Sequence, residues 1–111
     1  MSSYSIPVSP ELAAAARREV FRSHISSLTL QERFQFESDF KRVAAWVGLG
    51  CPRIKWREIR SDFIHVADRL RNIVNLTSAE SDAMKRLFQE SIKPEPDLKA
   101  VQILWTAYVE A

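Results

Sequence analysis

His65 has Asp62 and Asp68 three residues to either side, so on a helix both carboxylates lie one turn from the imidazole. That placement suits orienting the ring or holding a cation beside it. One turn supplies too few ligands for a metal, and the group projects away from the apolar side of its helix. The expectation is a surface histidine and no metal site. His24, near the end of the first predicted helix, is placed to favour the helix C-terminus through the dipole. Cys51 sits in a Gly-Cys-Pro turn just before a helix start, a position that can acidify a thiol. With no histidine near it in sequence, it reads as a structural turn residue. As the single cysteine it excludes an intrachain disulfide and a cysteine-based zinc site.

The 111 residues contain no glycine-rich phosphate loop, no G-x-S-x-G elbow and no H-E-x-x-H pair. Carboxylates are spread evenly along the chain instead of converging. No enzyme activity, cofactor or small-molecule substrate is therefore expected.

Charge is polarised along the chain. Residues 41–71 carry eight basic and three acidic side chains, a net of +5, while the other eighty carry eight basic and eleven acidic, a net of −3. Within the basic segment Arg53, Arg57, Arg60 and Arg71 fall within roughly 60° of one another on a helical projection, with Ile64 in the same sector. The guanidinium fork suits carboxylate and phosphate alike and is enriched at interfaces.

Three readings of this ridge compete. Its arginines can cover apolar surface and pair with acids of neighbouring helices such as Glu32, Glu37 and Asp39. They can flank Ile64 in a contact surface for another protein or a second copy of the chain. They can also enter a nucleic-acid groove: Ala44, Gly48 and Ile54 have a spacing that partly resembles a helix-turn-helix corner, with Arg53, Arg57 and Arg60 on the second helix. Against that resemblance, Arg57 stands where an apolar residue is expected and the turn contains a proline. The expectation is a small non-enzymatic protein-interaction or regulatory module that binds through Arg53, Arg57, Arg60, Ile64 and Arg71, with a helix-turn-helix-like nucleic-acid binder as the alternative.

The elements that position these residues are legible from caps and periodicity. Five helices and no strand are predicted, so the class is all-α: a compact antiparallel bundle occupying 9–111 behind a short polar leader over 1–8. Ser9, Pro10 and Glu11 open the first helix, which runs to about Ser26. Thr29 with Glu32 and Thr77 with Glu80 have capping-box spacing and open the second and fourth. Gly48 and Gly50 end the second helix after Val47, and the third begins at Pro52.

Trp56, Ile59, Phe63, Val66, Leu70 and Ile73 then alternate steps of three and four, one apolar stripe too short to argue a coiled coil. Met84, Leu87, Phe88 and Ile92 form the buried side of the fourth helix before Pro94 and Pro96 stop it. Leu98, Val101, Leu104, Trp105 and Tyr108 do so in the fifth, which runs to the C-terminus. Helices two and three are expected at the centre. Phe34 lies off the main apolar face of helix two, so that helix is either buried on two sides, the expected case, or exposes an aromatic patch suited to self-association.

Composition sets the outer limits. An apolar share of 46% with 27% charged residues describes a globular chain. A net charge of +2 is too small for a protein that grips nucleic acid with its whole surface, and excludes an acidic DNA mimic. The longest apolar run, Val43–Cys51, has nine residues against the roughly 20 a membrane helix needs. The first ten residues lack the basic start and apolar stretch of a secretion signal, so a cytoplasmic protein with no membrane partner is expected.

Overall fold

Ser9, Thr29, Thr77 and Asp97 each turn a side-chain oxygen onto a free backbone N–H three residues on, from Leu12, Glu32, Glu80 and Ala100 respectively. Glu32 and Glu80 return the bond to the N–H groups of Thr29 and Thr77, at 2.9 Å in both cases. Four of the five helices thus begin at a cap written in the sequence. The computed structural model describes residues 9–110, and the leader expected over 1–8 lies outside them. In chain order the helices are α1 (Pro10–Ser26), α2 (Leu30–Gly48), α3 (Trp56–Arg71), α4 (Ser78–Ser91) and α5 (Leu98–Tyr108). No strand occurs among the described residues.

The third helix departs from its expected start at Pro52. Gly50 (φ 89°) and Cys51 (φ 52°) both take left-handed backbone, which glycine adopts freely and cysteine does not. Cys51 is held there by its N–H to the Trp46 carbonyl at 3.2 Å, and the Trp46 indole Nε1 donates to the Pro52 carbonyl at 3.1 Å. The chain then makes one 3-10 turn, Arg53–Lys55, before α3. No side chain caps α3, so the tighter turn bridges the gap.

α3 is the central helix, packed between α2 and α4, with α5 against α4. Ion pairs fix the direction of α2 against α3. Arg42 reaches Asp62 at 2.8 Å, Asp39 lies 3.7 Å from His65, and Glu32 meets Arg69 at 3.2 Å. As α2 numbers fall α3 numbers rise, so the pair is antiparallel.

The predicted stripe of α3 is the core: Trp56, Phe63, Val66, Leu70 and Ile73 are buried and Ile59 is partly so. Phe63 is fully buried and its ring lies 5.6–6.1 Å from those of Trp46, Trp56 and Trp105. Trp105 in turn meets Phe40, which meets Phe36. One aromatic row therefore joins α2, α3 and α5. α1 lies outside it. Arg17, buried in α1, pairs with Glu80 of α4 at 3.1 Å, and its guanidinium stands 6.0 Å from the centre of the Tyr108 ring.

Two burial expectations fail. Ile92 is half exposed, because α4 stops at Ser91 and the residue that would continue the buried stripe becomes the cap. Phe34 is 62% exposed: α2 packs closely on α3 alone, so it shows an aromatic outer face and is not a second central helix.

The α4–α5 connection hangs on Glu90, which is fully buried. Its Oε2 accepts from Arg86 (2.8 Å) and Lys93 (2.7 Å), and its Oε1 accepts the Asp97 N–H at 2.8 Å. Burial alone would raise this carboxyl, but the bonds from Lys93, Asp97 and Arg86 outweigh it and pull the pKa to about 2. A carboxyl depressed in the fold stabilises it above its ordinary value of 4.5, and that contribution disappears as pH falls toward 2. Glu90→Gln is expected to cost about 2–3 kcal/mol in urea unfolding at pH 7, with the gap to wild type closing by pH 2 to 3. Phe63→Ala is expected to cost about 3–5 kcal/mol in the same measurement, since the rings around it are held from three sides.

Candidate functional site

Of the four predicted ridge arginines, Arg57, Arg60 and Arg71 lie on α3 and Arg53 on the 3-10 turn before it, and three of the four heads are engaged within the molecule. Arg53 Nη2 donates to the Pro96 carbonyl at 3.0 Å. Arg60 donates to the carbonyls of Ser91 and Ile92, both at 3.3 Å, where the end of α4 leaves acceptors unpaired. Arg71 pairs with Asp68 at 2.8 Å and lays its guanidinium 3.8 Å from the centre of the Phe88 ring. Only Arg57, exposed on α3, has no ion pair or hydrogen bond among the described residues. Two of the three acids expected to pair with the ridge are used elsewhere: Glu32 by Arg69, and Asp39 by Arg42, Gln35 and His65. The ridge faces α4 rather than α2.

This geometry adds two residues that spacing along α3 could not supply. Arg60 and Arg71 stand on either side of Ile64 along the helix, and their heads reach Ile92 and Phe88 of the α4 side. Ile64 and Phe88 are half-buried and Ile92 half exposed. The result is an apolar seam between α3 and α4 with an arginine at each end and Arg57 free beside it. The signal for Ile92 was present in Pro94, which shortens α4, but which carbonyls Arg60 would find depended on the packing angle of two helices.

The corner between α2 and α3 does not close as a helix-turn-helix. Ile54, whose spacing from Ala44 and Gly48 suggested burial between the helices, is 88% exposed on the 3-10 turn. Arg53 and Arg60 turn donors onto the backbone carbonyls of Pro96 and Ser91. His65 is exposed; Asp62 is taken by Arg42 and Asp68 by Arg71. No group of three or more ligating side chains is gathered for a metal among the described residues. No helix of the described residues is long and apolar enough to cross a membrane.

A cleft lies where α1 passes α2 and the end of α3. α1, α2 and α3 enclose a cavity of 570 Å³ walled by Phe21 and Ile25 of α1, Phe36 and Phe40 of α2, and Leu70, with exposed Phe34 at its edge. His24 opens onto it and its Nε2 is buried with no hydrogen-bond partner. Burial, and secondly the charge of Arg69, lower the His24 pKa and keep the ring neutral at pH 7. His24 thus does more than sit in the last turn of α1 near its dipole. Periodicity showed Phe34 out of register with its helix, but nothing in the sequence showed that α1 would stand off α2 there.

The chain matches no protein-family model, no curated protein and no solved structure with which it was compared.

Cys51 is the reverse of an activated thiol. Burial pushes it up to about 11, and no hydrogen bond or cation offsets that. Native protein at pH 8 is expected to react with a thiol reagent only as fast as it unfolds, with prompt reaction in urea. Rapid stoichiometric labelling of the folded protein would show that the Gly50–Cys51 turn opens locally.

Proposed function

We propose that this protein is a non-enzymatic, cytoplasmic protein-interaction module whose contact surface is the α3–α4 seam, with Ile64 and Ile92 at its apolar centre and Arg57, Arg60 and Arg71 at its margin. The observation that carries this reading is Arg71 fixed over the Phe88 ring while Arg60 is fixed on the last carbonyls of α4. Arginine heads already held by the fold lose little side-chain freedom when a partner arrives. Each keeps donor capacity, since a guanidinium carries five N–H groups. An apolar centre ringed by arginine is the anatomy of a protein contact.

Arg53, the remaining member of the row, is held on Pro96 beyond the seam and serves this reading as a structural tie. The exposure of Ile54 at the α2–α3 corner weighs against the nucleic-acid alternative, which needs that corner packed.

The test is affinity capture with wild type and with Ile64→Asp/Ile92→Asp, beside light scattering for self-association and a gel shift with random duplex DNA and RNA. A protein partner, or a second copy, that stays bound at 200 mM salt and is lost from the double variant is the expected result. The aspartates are expected to weaken it by at least about 2 kcal/mol, the scale of a hot spot. Retardation of nucleic acid that fades steeply between 50 and 200 mM salt would transfer the function to the alternative. A partner retained by a double variant whose thermal unfolding is unchanged would overturn the seam as the contact surface.

A further inference from the structure

The α1–α2 cleft is unrelated to the seam and asks for a different occupant. Its walls are aromatic and aliphatic, and its volume of 570 Å³ lies inside the range of about 300–1,000 Å³ that holds small ligands. Phe21 and Ile25 of α1 face Phe36 and Phe40 across it, and α1 is tied to the bundle by the Arg17–Glu80 pair one turn before Phe21.

The polar groups of the cleft are few and unequal. His24 lines the cleft and its Nε2 is buried without a partner, so an unsatisfied hydrogen-bonding atom lies behind the apolar wall, reached when the ring turns. Arg69, also in the lining, acts electrostatically on His24 as a cation and retains donors beyond its bond to Glu32. Lys41 and Glu37, one turn apart on α2, face the opening. A second buried polar atom without a partner, Arg33 Nε, belongs to the adjoining pocket that shares Phe21, Ile25 and Glu37 with the cleft. With the imidazole proton on Nε2 the His24–Arg69 corner is short of an acceptor, and a carboxylate is the group that accepts from a neutral imidazole N–H and from a guanidinium together.

We propose that the cleft binds a small amphipathic monocarboxylate, its hydrocarbon body between Phe21, Ile25, Phe36 and Phe40 and its carboxylate at His24 Nε2 and Arg69.

The assignment is tested by titrating the full chain at pH 7 with dodecanoate, below the concentration at which it forms micelles, by calorimetry and by NMR shifts of the α1 and α2 resonances. One equivalent is expected to bind, with shifts concentrated on Phe21, His24 and Ile25. Dodecanol, with the same body and no charge, is expected to bind about tenfold or more weakly, the difference that a charge-assisted hydrogen bond makes.

His24→Phe should reduce dodecanoate affinity by about the same factor while leaving dodecanol unaffected. Ile25→Trp fills the cavity and should abolish binding of both. It also serves as the second variant if His24→Phe does not fold. Arg57→Ala, remote from the cleft, should change neither titration. Absence of heat and shifts up to millimolar dodecanoate overturns the site, and equal affinity for the acid and the alcohol overturns the carboxylate assignment. Concentration-dependent dimerisation in light scattering that Ile25→Trp removes would show the cleft covered by a second copy and overturn the ligand. A failure here leaves the seam untouched, because the cleft variants His24→Phe and Ile25→Trp do not change it.

Discussion

Phe63 is the constraint on which the remaining architecture rests. It is the point where α2, α3 and α5 meet, with an aromatic ring of a different segment on each of three sides. Tilted and edge-to-face contacts of this kind fix ring orientation as well as distance. Because the row continues through Trp105 to Phe40 and Phe36, the position of α5 and the rotation of α2 about its own axis are set by the same set of rings. Everything outward-facing follows from that rotation. With Phe36, Phe40 and Val43 inward, Phe34 and Lys41 face away from the core and Asp39 is aimed at α3.

The charge polarity of the chain acquires a physical meaning at the helix ends. α4 terminates at a proline-rich connection that offers carbonyls without internal partners, and Arg60 and Arg53 satisfy them at Ser91, Ile92 and Pro96. Glu90 performs the complementary task, taking the Asp97 N–H and drawing in Arg86 and Lys93. Basic residues of α3 and of the 3-10 turn before it thus close α4 from one side while an acid of α4 closes the link to α5 from the other. The arginines are structural and superficial at once: their stems and part of their donors hold the seam, and their outer edges remain at the surface. That dual position is why a preorganised contact surface is the reading this geometry favours.

α1 stands in a different relation to the core. It contributes partly buried Val20, Phe21 and Ile25, but no member of the aromatic row. Its firm attachment is a single buried ion pair reinforced by the Tyr108 ring, and a pair of that kind positions a helix without drawing its whole length against its neighbour. The cleft beside α2 is the space left by that mode of attachment. It combines a large apolar wall with an unpartnered polar atom, a pairing that a fully packed interior avoids.

The sequence by itself determined the helices, most of their starts and the core face of α3. Caps and periodicity are local: Thr29 with Glu32, or Phe63 with Val66 and Leu70, lie within one or two turns of each other, and the backbone geometry of a helix dictates where they point. It also placed Arg57, Arg60, Ile64 and Arg71 on one helix, whereas Arg53, expected on that helix, lies on the 3-10 turn before it and reaches Pro96. What it left open was anything that depends on two segments meeting. Whether the arginines would find the acids of α2 or the carbonyls of α4, whether Ile54 would be buried at the corner, and whether Phe34 would be covered were decided by the tertiary structure. Each outcome turns on the angle and distance between helices, and these are fixed by the volumes of many side chains packed together, a sum that no short spacing in the chain encodes.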